Sequence, residues 1–186
     1  MIKLDESVAL QAGHAESEQD PMFIPHWYAL YTRSRHEKIL DERLKMKGLE
    51  SYLPLRKITR KWSDRKQIIE EPLFKGYLFV RIPLINRWEV LNTVGAVQFV
   101  QFKASKPCEV APKDIETIRT FAESSLPVDP FPYIKEGARA YIRSGPMKGV
   151  EGFIVRKDSH CRIVLSVTSL MKSISIQVDE ANVELL

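Results

Sequence analysis

The run Glu71-Pro72-Leu73-Phe74-Lys75-Gly76-Tyr77-Leu78-Phe79-Val80-Arg81-Ile82 constrains this chain more than any other stretch. It reads as a proline-led entry into a strand. From Tyr77 onward alternate residues fall on opposite faces, with Tyr77, Phe79 and Arg81 on one and Leu78, Val80 and Ile82 on the other. A strand with two apolar faces has to be covered on both sides, which places it inside a layered fold. The aliphatic face suits a core. The aromatic face suits either a second layer of that core or a surface for a partner, because aromatics are enriched where an apolar patch becomes covered on binding. Pattern alone favours the core layer.

Upstream, His26–Thr32 is rich in strand formers, and Ser34-x-x-Glu37 has the spacing of a capping box that would start a helix. Ile39, Leu40, Leu44 and the stem of Arg43 then recur at helical spacing until Gly48. Ser51–Ile58 reads as a second strand with Pro54 at an edge or bulge, and a charged stretch turns back into Gln67–Glu70. Beyond the central strand, Asn86 is expected to cap a short helix reaching Asn92, Gly95 ends it, and Val97–Phe102 alternates as a strand. Ala111-Pro112-Lys113-Asp114 opens a helix with Ile115, Ile118, Phe121 and Ala122 on one face. The expected class is α+β with an antiparallel sheet.

The prolines at 127, 130 and 132 among small and acidic residues read as an extended linker. After it come short β-rich runs, Ala138–Arg143, Gly152–Arg156, Arg162–Val167 and Lys172–Val178, spaced as in a small barrel. Gly145-Pro146 and Gly149 punctuate its first hairpin. The expected division is a disordered acidic tail over 1–25, an α+β domain over 26–123, a linker over 124–133 and a β-barrel over 134–186.

The net charge of +4 is unevenly spread. Residues 1–26 carry one Lys against five acids, 27–121 carry nineteen basic against eleven acidic residues, and 122–186 carry eight of each. In the basic middle, Arg56, Lys57, Arg60, Lys61, Arg65 and Lys66 surround Trp62 with only Asp64 opposing them. Cations interleaved with an aromatic attract a phosphate backbone with accessible bases, whereas the plainer alternative is a solvated hairpin with charged edges. The concentration of the excess favours nucleic-acid contact.

No run is long and apolar enough to span a bilayer, and the polar start lacks the layout of a secretory signal, so the expectation is a cytoplasmic protein without a membrane partner. Cys108 and Cys161 stand far apart without metal-ligand spacing, and the four His, at 14, 26, 36 and 160, have no nucleophile beside them. The chain is therefore read as a non-enzyme with neither metal nor cofactor.

The stretch from Gly137 to Val155, which includes Gly145, Pro146, Gly149 and Gly152, resembles a complete KOW motif. Trp27-Tyr28-Ala29-Leu30-Tyr31 and Phe74-Lys75-Gly76-Tyr77-Leu78-Phe79-Val80 resemble the amino-terminal domain of NusG-type transcription elongation factors. The two modules in this order have the layout of the NusG superfamily. The wording Glu71-Pro72-Leu73-Phe74-x-x-Tyr77-Leu78-Phe79-Val80 is closer to its specialised antitermination paralogues, the RfaH and UpxY-like regulators of polysaccharide operons.

That resemblance implies a processivity factor that binds the β′ clamp helices of RNA polymerase through Tyr31, Phe74, Tyr77, Phe79 and Phe102. It also implies contact with non-template DNA through Arg33, His36 and Arg43. Lys61, Arg65 and Lys66 join these from the charge pattern. The segment contacting the polymerase gate loop in RfaH is His-Thr-Thr, and Asn86-Arg87-Trp88 stands here instead, so that contact is not carried over. Ser169, Leu170 and Met171 match the barrel turn that meets Rho or a small-subunit ribosomal protein. Without the aromatic and the Gly of that turn, Rho binding is expected to be weak, while Leu170 and Met171 remain candidates for the ribosomal partner. Alternatives are a housekeeping NusG and a KOW-containing, ribosome-associated RNA-binding protein. The second would carry its basic charge on the barrel, which here is neutral. The β-branched runs at 163–168 and 174–178 predict a permanent barrel, loosely tethered, in a monomer whose clamp-binding surface stays open.

Overall fold

The computed structural model describes residues 22–61, 66–101, 106–124, 126–134, 137–157 and 160–186. In chain order these form strand β1 (His26–Thr32), helix α1 (Glu37–Met46), strands β2 (Glu50–Tyr52), β3 (Leu55–Lys61), β4 (Lys66–Pro72) and β5 (Tyr77–Ile82), and the short helix α2 (Arg87–Leu91). There follow β6 (Ala96–Phe99), β7 (Glu109–Val110), helix α3 (Pro112–Glu123), and strands β8 (Val128–Phe131), β9 (Arg139–Ile142), β10 (Glu151–Lys157), β11 (His160–Val167), β12 (Lys172–Val178) and β13 (Val183–Leu185). The first sheet runs β2-β5-β1-β6 with β7 also on β1; β3 and β4 make a separate hairpin; the third sheet runs β13-β9-β10-β11-β12-β8.

The central strand sits as its two faces require, between β2 and β1. Leu78, Val80 and Ile82 pack with Tyr28 and Leu30 of β1 against Leu40 and Leu44 of α1. Antiparallel pairing sets Tyr31 opposite Tyr77, Ala29 opposite Phe79 and Trp27 opposite Arg81, so the other face of β5 and β1 carries one aromatic array. The strand is shorter than the run that suggested it. Glu71 and Pro72 close β4, and a turn at Phe74–Gly76 intervenes, with the Tyr77 amide donating to the Phe74 carbonyl at 3.1 Å. Gly76 is at φ 80°, and a Cβ there would stand 3.3 Å from the Tyr31 ring, so both backbone angle and space call for glycine.

Several local expectations are corrected. Ser34 and Glu37 form no capping box: α1 begins at Glu37, its N-cap is His36 with no side-chain bond, and the Glu37 carboxylate accepts from the Gly76 amide at 2.8 Å. Arg35, at φ 62°, already takes the chain out of helical geometry, and a long-range turn claims the carboxylate. Ile39 is exposed, and the buried stripe is Glu37, Leu40, Asp41 and Leu44. Buried Asp41 is satisfied by Ser51 Oγ at 2.6 Å and Lys45 Nζ at 2.7 Å, which ties α1 to β2. At the other end of α1, the Leu49 amide donates to Leu44 O at 3.0 Å and the Gly48 amide to Lys45 O at 2.9 Å, the paired bonds of a Schellman stop. Ser51–Ile58 is not one strand. The chain breaks at Pro54, so that β2 joins the central sheet and β3 the hairpin, while the Pro54 carbonyl accepts from the Leu73 amide at 2.8 Å. Asn86 precedes α2 without a side-chain cap, because a 3₁₀ turn at Leu84–Asn86 leads directly into the helix.

The largest departure lies in the stretch read as a linker. Val128–Phe131 is a strand, paired with β12 from Ile176↔Val128 to Ser173↔Phe131, and Pro130 lies on this edge strand of the sheet, where a missing N–H is tolerated. The C-terminal sheet is β-structured throughout, as its β-branched runs predict. It does not hang free. One buried apolar cluster runs from Trp27, Phe74, Phe79 and the α3 residues Ile115, Ile118 and Phe121 into Val128, Ile142, Met147, Ile163, Leu165 and Leu170.

Gly152 is held in the barrel by close approach, since a Cβ there would meet the Val164 carbonyl oxygen at 2.6 Å. Gly152→Ala should therefore push β10 from β11 and cost about 1–3 kcal/mol of stability. Urea unfolding measures this, and an unchanged midpoint would contradict the packing described.

Candidate functional site

The aromatic face is built from four elements. Tyr31 on β1 meets Tyr77 on β5 with ring centroids 5.3 Å apart; Tyr52 on β2 stacks on Phe79 at 6.4 Å; Phe74, from the turn before β5, meets Phe79 edge-on at 6.1 Å. The expected residues Tyr31, Phe74, Tyr77 and Phe79 are thus brought together, while Phe102 lies outside the described residues. Tyr52 and Trp27 were not foreseen: Tyr52 enters through cross-strand pairing with Phe79, and Trp27 by sharing the face of Phe79. The Arg119 guanidinium of α3 lies 5.0 Å from the Tyr52 ring. Burial pushes the Tyr52 phenol up to about 12, so it stays neutral at physiological pH.

This face is not open, contrary to the expectation of a loosely tethered barrel. Phe79 is 0% exposed and Phe74 2%, whereas Tyr31 is 42% exposed at the rim. The aromatic residues need cover, and α3 with the C-terminal sheet supplies it. Lys172 at the start of β12 places Nζ 5.6 Å from the Tyr77 ring centroid. The turn matched to a barrel partner is caught in the same contact, because Leu170 is 5% exposed within the shared cluster, while Met171, at φ 51°, is 52% exposed. Leu170 is therefore not free for a second protein in this arrangement. Gly145, Pro146 and Gly149 lie in the turn after β9.

Arg56 ties the two halves electrostatically. Its Nε donates to Glu71 Oε1 at 3.0 Å and its Nη2 to the same oxygen, while Nη1 donates to the Val128 carbonyl at 2.9 Å and stands 3.5 Å from Asp129 Oδ1. Asp129 is held from the barrel side by Arg162 at 3.1 Å, and Arg162 also donates to Ser175 Oγ at 2.8 Å. Glu71 has Lys75 at 3.5 Å and Arg60 at 3.9 Å as further cations. Hydrogen bonding from Arg56, opposed by burial and helped by the Arg56 and Lys75 charges, holds the Glu71 carboxyl below its ordinary value of 4.5. A second bridge, Lys113 Nζ to Glu151 Oε1 at 3.1 Å, joins α3 to β10.

The basic candidates fall into two groups. Arg33, His36 and Arg43 gather around Val94 and Gly95: Arg43 Nη1 donates to Val94 O at 3.2 Å, the Arg33 amide to Gly95 O at 2.8 Å, and His36 Cβ borders Gly95. His36 Nδ1 is 2.9 Å from Ser34 O. Lys61 and Lys66 stand directly opposite one another at the end of the β3–β4 ladder, whereas Lys57 and Arg56 face Glu70 and Glu71. At the base of the hairpin the cations face carboxylates, while Lys61 faces Lys66, a like-charge pairing that an anion would relieve. Arg65 and Trp62 lie outside the described residues. A cavity of about 850 Å³ beside exposed Tyr31 adds Arg35, Lys38, Arg60 and Lys75, cations that sequence spacing alone did not join. At the position of the gate-loop segment, Trp88 is exposed with the Arg87 guanidinium 5.2 Å from its ring. Among the described residues no three His, Cys, Asp or Glu gather as metal ligands, and no helix is long and apolar enough to cross a membrane.

Since the Glu71 shift is downward, its contribution is complete above the ordinary carboxylate value and drains as pH falls through the lower folded value. Acidification below about pH 5 should destabilise the native chain more than Glu71→Gln does from its own lower starting point. Thermal unfolding from pH 7 to pH 3 checks this, and parallel curves for the two proteins would remove Glu71 from the account.

Residues 25–119 match the profile of the family described as "Transcription termination factor nusG", just over half of the chain. The chain is 21% identical over 178 residues to the transcription termination/antitermination protein NusG of Borreliella burgdorferi, covering 85% of this chain and 97% of that one. The structure is similar to one reported under "Domain interaction in Thermotoga maritima NusG", with TM-score 0.54, 21% identity, and coverage of 86% and 96%.

Proposed function

The chain belongs to the NusG family of transcription factors, and on that premise we propose that it binds RNA polymerase at the β′ clamp helices and increases processivity. The observation that carries this reading is the aromatic array of Tyr31, Phe74, Tyr77 and Phe79 on one face of the first sheet, with Tyr31 exposed at its rim. Burying one large aromatic side chain at such a contact is worth about 1.5–3 kcal/mol. Arg33, His36 and Arg43 near α1, and Lys61 and Lys66 at the end of the β3–β4 ladder, would follow the exposed non-template strand. The wording of Glu71–Val80 favours a specialised paralogue serving a long operon such as a polysaccharide cluster.

In the closed arrangement only the rim of the array is free, so polymerase has to displace the barrel. Apparent affinity is then the intrinsic affinity reduced by the open fraction. Displacement would also free Leu170, beside the already exposed Met171, for a small-subunit ribosomal protein, with Rho binding weak.

Asp129 separates masking from binding, because it bridges Arg56 and Arg162 and lies outside the aromatic array. Asp129→Lys should loosen the barrel and raise affinity for core polymerase several-fold, whereas Tyr31→Ser, at an exposed position, should lower it about tenfold. Wild-type affinity in both variants, each verified as folded, would sink the reading. In a separate experiment, affinity for an elongation complex with an exposed non-template strand should fall steeply with salt, and Lys61→Glu with Lys66→Glu should flatten the slope. An unchanged slope would return the hairpin tip to a solvated edge.

A further inference from the structure

A cavity of about 400 Å³ lies between the hairpin-to-β5 segment and the start of the barrel, so both halves of the closed chain wall it. Its apolar walls include Pro72 and Phe74 from one side and Phe131, Tyr133 and Met171 from the other. Rings and prolines make these walls apolar and suited to an aromatic body. The cavity's charged lining residues among those described are Arg56, Lys75 and Lys172, with no Asp or Glu among the described residues that line it. Arg56 and Lys75 lean on Glu71, just behind the wall. Lys172 differs: its partner is the Tyr77 ring, and among the described residues it has no carboxylate partner. Among the described residues, the two carboxylates of the network, Glu71 and Asp129, stand against Arg56, Arg60, Lys75, Arg162 and Lys172, an excess of positive charge.

We propose that this interdomain cavity binds a small aromatic anion, a flat apolar body carrying one phosphate or carboxylate, and that the ligand holds the barrel closed. The volume lies within the range of small-molecule sites, which concentrate at domain interfaces and combine apolar walls with a few convergent polar groups. The ring would lie among Phe131, Tyr133 and Pro72, and the anion would meet Lys172 and Lys75. Because the walls come from both halves, binding favours the closed over the open state by its differential affinity for the two. The binding site stands on the cavity alone; only its effect on polymerase rests on the function proposed above.

Three probes separate the contributions in the full-length chain: 1-naphthyl phosphate, neutral 1-naphthol and inorganic phosphate. Isothermal titration should show saturable 1:1 binding of 1-naphthyl phosphate, with each of the other two at least tenfold weaker. Ligand excess should raise the melting temperature. Lys172→Glu, at an exposed position, should weaken naphthyl phosphate at least tenfold and leave naphthol unchanged; Tyr133→Ser should weaken both. Equal binding of naphthol and naphthyl phosphate, binding indifferent to Lys172→Glu, or no binding at millimolar probe would each overturn the proposal. Binding with no competition against polymerase would leave the site standing and count against the polymerase reading instead.

Discussion

Everything in this chain is arranged around the need to cover both faces of β5. The aliphatic face is covered locally, by α1, which follows β1 within a few residues and is pinned to β2 through Asp41 and Ser51. Cover for the aromatic face comes from further along the chain, in α3 and the C-terminal sheet. The first contact is short-range and belongs to the fold of the first unit. The second joins the two sheets and rests on dispersion and apolar burial among rings and aliphatic side chains, which are non-directional. Its orientation has to come from elsewhere.

Arg56 supplies that orientation. A single guanidinium reaches Glu71 in its own hairpin and both the Val128 carbonyl and the Asp129 carboxylate in β8. Its planar fork fits such divided work better than a lysine could. Buried ion pairs add little net stability against apolar replacements, but breaking one leaves a charge stranded, so the cluster fixes where the barrel sits more than how tightly it is held. Lys113–Glu151, with Lys113 largely exposed, adds little energy and a second point of register.

The fold was legible wherever it depended on period and spacing. Alternation in 77–82 placed both faces of β5 correctly, and β-branched runs marked β11 and β12. Tyr77 and Phe79 were legible on one face from alternation within β5, whereas Tyr31 came in through the family resemblance, because alternation inside one strand does not say which residue of another strand lies opposite. What sequence could not show were features set by partners far away in the chain. Glu37 has the spacing of a helix cap and serves Gly76 instead. Pro127, Pro130 and Pro132 have linker composition, yet β12 has an edge that accepts Val128–Phe131 as a strand. Ile39 has helical spacing but falls outside the buried stripe, which two acidic residues share because Ser51, Lys45 and Gly76 satisfy them. Composition therefore misread the linker, and with it the closure of the barrel.

Closure has a consequence that neither half carries alone. The aromatic array and the Leu170 turn, the two surfaces that the family resemblance implies for separate partners, bury each other in one apolar cluster. A partner that takes the array releases the turn, and one that takes the turn releases the array. The coupling is reciprocal by linkage: each partner raises the other's affinity by the same factor, bounded by the free energy of the closed contact. No bond between the two partners is needed for such coupling, only the shared docking contact. A barrel of β-branched strands suits such a device, since the only equilibrium it has to shift is the docking itself.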